Sequence, residues 1–192
     1  MSAQPLPRLT PAEYLAQERA AEHRSESLAG EVFAMAGTSR WHNLISVNVA
    51  ARLHAQLSGR PCEVYSADMR VKVAPTGLYA YPDVVLACSD PTFEDSSADT
   101  LLNPTIIFEI LSPSTEAFDR GEKFSHYRRL GSLTDYLLIS QDRPRVERYH
   151  RQEGGFWLFS EIEGLDARLV IESIGVELPL HEIYERVELP AE

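Results

Sequence analysis

Thr105-Ile106-Ile107-Phe108-Glu109-Ile110-Leu111-Ser112-Pro113-Ser114 sets one carboxylate inside an otherwise apolar run. Apart from Glu109, residues 105–111 are apolar or β-branched, and so short a run bounded by proline reads as a strand. At a two-residue period Ile107, Glu109 and Leu111 share one face, and Ile106, Phe108 and Ile110 share the other. Both faces are otherwise apolar, which predicts a central strand covered on both sides. A carboxylate buried there without a partner is strongly destabilising. Glu109 therefore needs a cation, a proton or a dense set of hydrogen bonds, and a core arginine would serve as well as a metal ion.

The residues on either side of this strand favour the metal. Downstream, Pro113 stops the strand, and a helix is predicted over residues 120–130, with Lys123, Tyr127 and Leu130 on one stripe. Lys123 stands in the first turn, the end nearest Glu109. The chain holds sixteen arginines but only two lysines, Lys72 and Lys123. An ammonium is a compact point charge with a tunable pKa, whereas a guanidinium is forked and permanently charged. Upstream, if residues 83–88 pair antiparallel with 105–111, Asp83 and Glu109 meet at one end of the sheet. Asp83, Glu109 and a backbone carbonyl, assigned to Ile110, would form with water an oxygen shell suited to Mg²⁺ or Mn²⁺. Lys123 could then polarise an attacking water or steady charge on a phosphate. The plainer alternative is a lysine snorkelling on a helix shoulder.

Elsewhere the elements are mixed α and β. Thr10-Pro11-Ala12-Glu13 is a capping box that predicts a helix from Pro11 to about Glu22. Residues 24–36 read as a hairpin turning at Ala29-Gly30, and apolar spacing predicts a helix over 40–57. Strand-like runs cover 62–73, 79–88, 135–141, 144–151, 156–162 and 167–173, an acidic loop covers 89–103, and a short helix is expected within 180–187. No linker-like composition divides the chain, so one domain over residues 1–192 is expected. Cys62 and Cys88 are expected as buried thiols in a reducing cytoplasm, and no signal or membrane-spanning segment is expected. A net charge of −11 argues against tight nonspecific binding to a polyanion, although residues 120–151 carry eight basic against four acidic side chains.

Several motifs set together resemble a known family. They are Glu26 with Gly30 and Met35, His42, Ser66-Ala67-Asp68-Met69, Tyr81-Pro82-Asp83 and Asn103-Pro104. Glu109-Ile110-Leu111-Ser112-Pro113-Ser114-Thr115, Asp119-Arg120-Gly121-Glu122-Lys123-Phe124 and Tyr127-Arg128 complete the string. In that order they are similar to the Uma-type family of predicted endonucleases within the PD-(D/E)XK superfamily. The resemblance implies a restriction-endonuclease-like α/β fold, with a mixed central sheet flanked by helices. It also implies Mg²⁺- or Mn²⁺-dependent hydrolysis of phosphodiester bonds, with DNA as substrate, and a homodimer. Asp83 and Glu109 would be the metal ligands and Lys123 the catalytic lysine. Leu111 occupies the position where the superfamily pattern places its lysine, and the resemblance implies that the Uma-type lysine sits on the next helix, at Lys123. Lys72 is the reserve candidate.

Arg120, Arg128, Arg129 and Tyr127 are candidates to contact substrate, and Glu26 and His42 to line the cleft. Asp68 is a weaker candidate. A catalytically silent binding or regulatory module on the same fold is the alternative, favoured by the acidic charge and by Leu111. A glycosidase using Asp83 and Glu109 is a third reading, disfavoured by the nearby lysine. The chain has no nucleophile elbow around Ser112 or Ser114, no HExxH pair and no phosphate-binding glycine loop.

Overall fold

The structure, a computed structural model, describes residues 8–35 and 37–189. Helix α1 (Pro11–Ala20) starts at the expected capping box, with the Thr10 hydroxyl accepting from the Glu13 amide and the Glu13 carboxylate accepting from Thr10 N–H. Strands β1 (Ser25–Leu28) and β2 (Glu31–Ala34) form the hairpin. Gly30 in its turn has φ of 87°, and a Cβ there would lie 2.5 Å from the Leu9 carbonyl oxygen, so only glycine fits. Helix α2 (Arg40–Leu57) is capped by the Ser39 hydroxyl and buries Ile45, Val49, Leu53 and Leu57 along one stripe.

The two long strand-like runs each divide. Residues 62–73 become β3 (Glu63–Ser66) and β4 (Arg70–Val73), separated by a turn closed by Met69 N–H to the Ser66 carbonyl. Residues 79–88 become β5 (Leu78–Ala80) and β6 (Val84–Ala87), which belong to different sheets. Pro82 has no N–H to give to a ladder, and the chain crosses between sheets there. The acidic loop contains a short strand, β7 (Thr100–Leu101), parallel to β4.

Strand β8 (Ile106–Leu111) is fully buried at the centre of a six-stranded sheet, with β9 (Asp135–Ser140), β10 (Arg145–Arg151) and β11 (Trp157–Glu163) to one side. The order is β11-β10-β9-β8-β6-β3, mixed because β8 and β9 are parallel. A five-stranded sheet runs β2-β1-β5-β4-β7. Strands β12 (Arg168–Ile171) and β13 (Val176–Pro179), the second of them not anticipated from sequence, pair ahead of a final short helix at Leu180–Ile183.

The two faces of β8 separate as the alternation requires. Ile106, Phe108 and Ile110 pack with α2 and the β12–β13 region, while Ile107 and Leu111 pack with Tyr127, Tyr136 and strands of the smaller sheet. Between β8 and β9 the helical segment begins and ends earlier than expected. It comprises α3 (Glu116–Phe118), a π-helical turn (Asp119–Lys123) and α4 (Phe124–Tyr127). Such turns widen a helix locally and recur at functional sites.

The free-thiol expectation is corrected. Cys62 and Cys88 are joined in a disulfide, with Cα atoms 4.0 Å apart. Glu63 pairs with Ala87 across β3 and β6, so the next residues outward, Cys62 and Cys88, stand directly opposite one another. The bond also removes the reducing cytoplasm as something the cysteines argue for.

Candidate active site

The antiparallel register between β6 and β8 sets Val84 against Phe108 and thereby brings Asp83 to the level of Glu109. Asp83 is held from two sides: the Ile110 amide donates to its Oδ2 at 2.7 Å, and His42 Nε2 lies 3.2 Å from the same atom. His42 reaches it from the first turn of α2. Glu109 Oε1 receives Lys123 Nζ at 3.0 Å and the Tyr127 hydroxyl at 3.3 Å. Among the described residues, Asp83 Oδ1 and Glu109 Oε2 accept no hydrogen bond.

Lys123 comes from the end of the π turn and is buried. Its ammonium also meets Glu26 Oε1 at 3.3 Å and Asp119 Oδ1 at 3.4 Å. Glu26, on β1, accepts in addition from the Tyr81 amide at the sheet crossing. The Asp119 carbonyl accepts from the buried Tyr136 hydroxyl, which fastens the start of the turn to β9. Glu26, Asp83, Glu109, Asp119, Lys123 and His42 thus line one cleft of about 420 Å³.

Three carboxylates share a single ammonium, with Asp83 as a fourth carboxylate in the same cleft, and the electrostatics follow. Burial pushes Glu109 well above the ordinary carboxylate range; Lys123 opposes this, while Asp119, Asp83 and Glu26 add to it. Burial likewise raises Asp119, with Lys123 pulling the other way. Burial alone would lower Lys123, but Glu109, Glu26 and Asp119 outweigh it and hold the ammonium well above the usual lysine range. The cleft is therefore short of positive charge. Among the described residues no three His, Cys, Asp or Glu side chains form a ready-made cage for an ion. The donor set suits instead a hydrated hard cation held by one or two carboxylates, as Mg²⁺ prefers.

A family profile described as "Uma2: Putative restriction endonuclease" matches residues 11–181. The chain belongs to the Uma2 family. Two Synechocystis sp. proteins, both described as uncharacterized (slr1290 and sll1609), are similar to it. The first is 37% identical over 180 residues, covering 94% of this chain and 93% of its own. The second is 38% identical over 161 residues, covering 84% and 91%. A solved structure of a "putative nuclease belonging to DUF820" from Anabaena variabilis matches with a TM-score of 0.75. It covers 92% of this chain and 97% of that one at 18% identity, which shows a shared fold.

In this Uma2 chain Asp83, Glu109, Lys123, Glu26 and His42 all line one cleft, together with Ile110. The other sequence candidates lie elsewhere. Arg120 is tied to Glu147 and Glu116, and neither it nor the exposed Arg128 and Arg129 lines the cleft. Tyr127 is fully buried, so it presents no surface to a substrate and instead braces Glu109. Lys72 pairs with Glu94, and Asp68 pairs with Arg24. Asp119 received no role from the sequence, although its four-residue spacing from Lys123 was visible. That spacing marks a pair on one helix face but says nothing about whether the face turns inward.

Proposed function

We propose that this Uma2 protein is a divalent-metal-dependent endonuclease that hydrolyses phosphodiester bonds in DNA. The observation that carries the reading is the convergence of three buried or half-buried carboxylates on one lysine ammonium, with Asp83 beside them and one oxygen each of Asp83 and Glu109 accepting no hydrogen bond. Those two carboxylates would hold Mg²⁺ or Mn²⁺, with Ile110 beside them. The bound cation would neutralise phosphate charge and lower the pKa of a water at the site.

The chain's own residues have separable tasks. His42 and the Ile110 amide orient Asp83, and the Tyr127 hydroxyl and Lys123 orient Glu109. Lys123 is held charged by its neighbours, so it does not serve as a base near neutral pH. Its ammonium would stabilise charge that develops on the phosphate. Each chain offers one such cleft, so cutting both strands of a duplex would take two copies, and a homodimer belongs to the proposal.

The test is nicking of supercoiled plasmid in Mg²⁺ or Mn²⁺, against EDTA and against folded Asp83→Asn and Glu109→Gln variants. Metal-dependent nicking lost in both variants supports the reading. Saturable Mn²⁺ binding with no cleavage of plasmid or oligonucleotide overturns it in favour of a catalytically silent binding module. Lys123 is the only Lys or Arg among the described residues lining the cleft, and that favours this second reading.

A further inference from the structure

Strand β2 lies at the edge of the five-stranded sheet and is exposed along its whole length. Its partner register sets Phe33 directly opposite Glu26. Directly opposed residues project from the same face of a sheet. Glu26 reaches Lys123 at 3.3 Å, so Phe33 emerges beside the buried charges. It lines the same cleft as Asp83 and Glu109, yet half of its surface, 50%, remains open to solvent. Met35, two residues on and also lining the cleft, is 40% exposed. An apolar aromatic surface thus adjoins a floor of carboxylates and one ammonium.

The apolar surface within the cleft suits an occupant that is small and flat. A whole phenylalanine offers roughly 200 Å², so the open part of Phe33 amounts to about 100 Å², and Met35 adds a comparable area. A stable protein interface takes about 800 Å² from each partner, which this pair does not approach. A nucleobase presents a π face of the right scale, and stacking on an aromatic side chain is a sequence-tolerant way to hold it. Apart from Lys123 and His42, no basic side chain among the described residues lines the cleft to grip a duplex by its phosphates, so stacking would supply binding that charge does not.

Resting on the nuclease reading above, we propose that Phe33, supported by Met35, stacks on a base next to the scissile phosphate. The substrate is then a strand with that base unpaired. In an intact duplex both faces of each base are already covered by neighbours, so the site selects single-stranded or locally opened DNA.

The experiment measures binding in Ca²⁺ of a fluorescent single-stranded oligonucleotide, its versions carrying one abasic position at each step, and the matching duplex. The proteins are the wild type, Phe33→Ala and Phe33→Trp. The expected result is preference for the single strand, a loss of about 5- to 160-fold in Phe33→Ala, and retention in Phe33→Trp. One abasic position should weaken the wild type and leave Phe33→Ala unaffected. Equal binding by wild type and Phe33→Ala, or an abasic loss of the same size in both, overturns the stacking role and leaves the nuclease reading standing. A shift from dimer to monomer in Phe33→Ala, without a change in base dependence, would assign the patch to a second copy and overturns it too. Absence of binding to every strand by the wild type overturns both readings.

Discussion

Replacing Lys123 with methionine removes the one ammonium that three carboxylates share, at 3.0, 3.3 and 3.4 Å, while nearly conserving volume. At an effective dielectric constant of about 20, each contact is a gross attraction of roughly 5 kcal/mol. Desolvation takes back most of that sum, and breaking a buried pair from one side leaves a net loss of about 3–5 kcal/mol. A domain is stable by only about 5–15 kcal/mol, so the variant should unfold at much lower urea. The loss should depend on pH. In the wild type Lys123 is charged throughout the acid and neutral range, so its own titration adds no pH dependence there. In the variant the uncompensated carboxylates have folded pKa values raised further above their unfolded values, near 4.3 for Glu. A raised carboxyl favours the folded state below its unfolded pKa, and that benefit disappears as pH rises through the folded value. The gap between the proteins should therefore be widest at about pH 8 and narrow towards about pH 5. Urea unfolding in EDTA at both pH values measures it, and excess Mg²⁺ should recover part of the loss at the higher pH. A loss below about 1 kcal/mol, in the range of an exposed ion pair, or the same loss at both pH values, would refute the shared-ammonium account.

Three further outcomes follow from the same structure. Because burial raises Glu109, Mn²⁺ competes there with a proton, so affinity should increase as pH rises; calorimetry in buffers of different ionisation heat should detect proton release, and pH-independent affinity would count against Glu109 as ligand. Reduction of the Cys62–Cys88 bond, which closes a separation of 26 residues, should lower stability by about 3 kcal/mol, read as a lower urea midpoint in dithiothreitol than in oxidised buffer. Thr10→Ala removes the hydroxyl that caps α1 and should cost about 1 kcal/mol in urea unfolding, with metal binding unchanged.

Much of the fold was legible because it rests on local patterns. The seven residues around Glu109 carry their own period, and the capping box at Thr10 and the apolar spacing of α2 name two helices within a residue or two. The boundaries that failed are those where neighbouring segments compete. The run through Tyr81-Pro82-Asp83 looks continuous in hydropathy, and only the existence of a second sheet divides it. The helix before β9 begins earlier than expected, and its π turn obeys no periodicity that a sequence displays. Cys62 and Cys88 looked like two buried thiols because their proximity depends on the register of β3 against β6, which neither strand encodes alone.

The candidate site divides along the same line. By itself the sequence determined that Glu109 is a carboxylate in a strand buried on both faces, and it singled out Asp83 and Lys123 as its companions. It did so because alternation, proline and scarcity of lysine are properties of residue order. Only the tertiary structure decided that Glu26 and Asp119 join them and that Arg120 is engaged by Glu147. It alone withdrew Tyr127 from the surface to brace Glu109. Those contacts cross between sheets and helices over long separations, and the direction of a side chain across such a gap is set by packing.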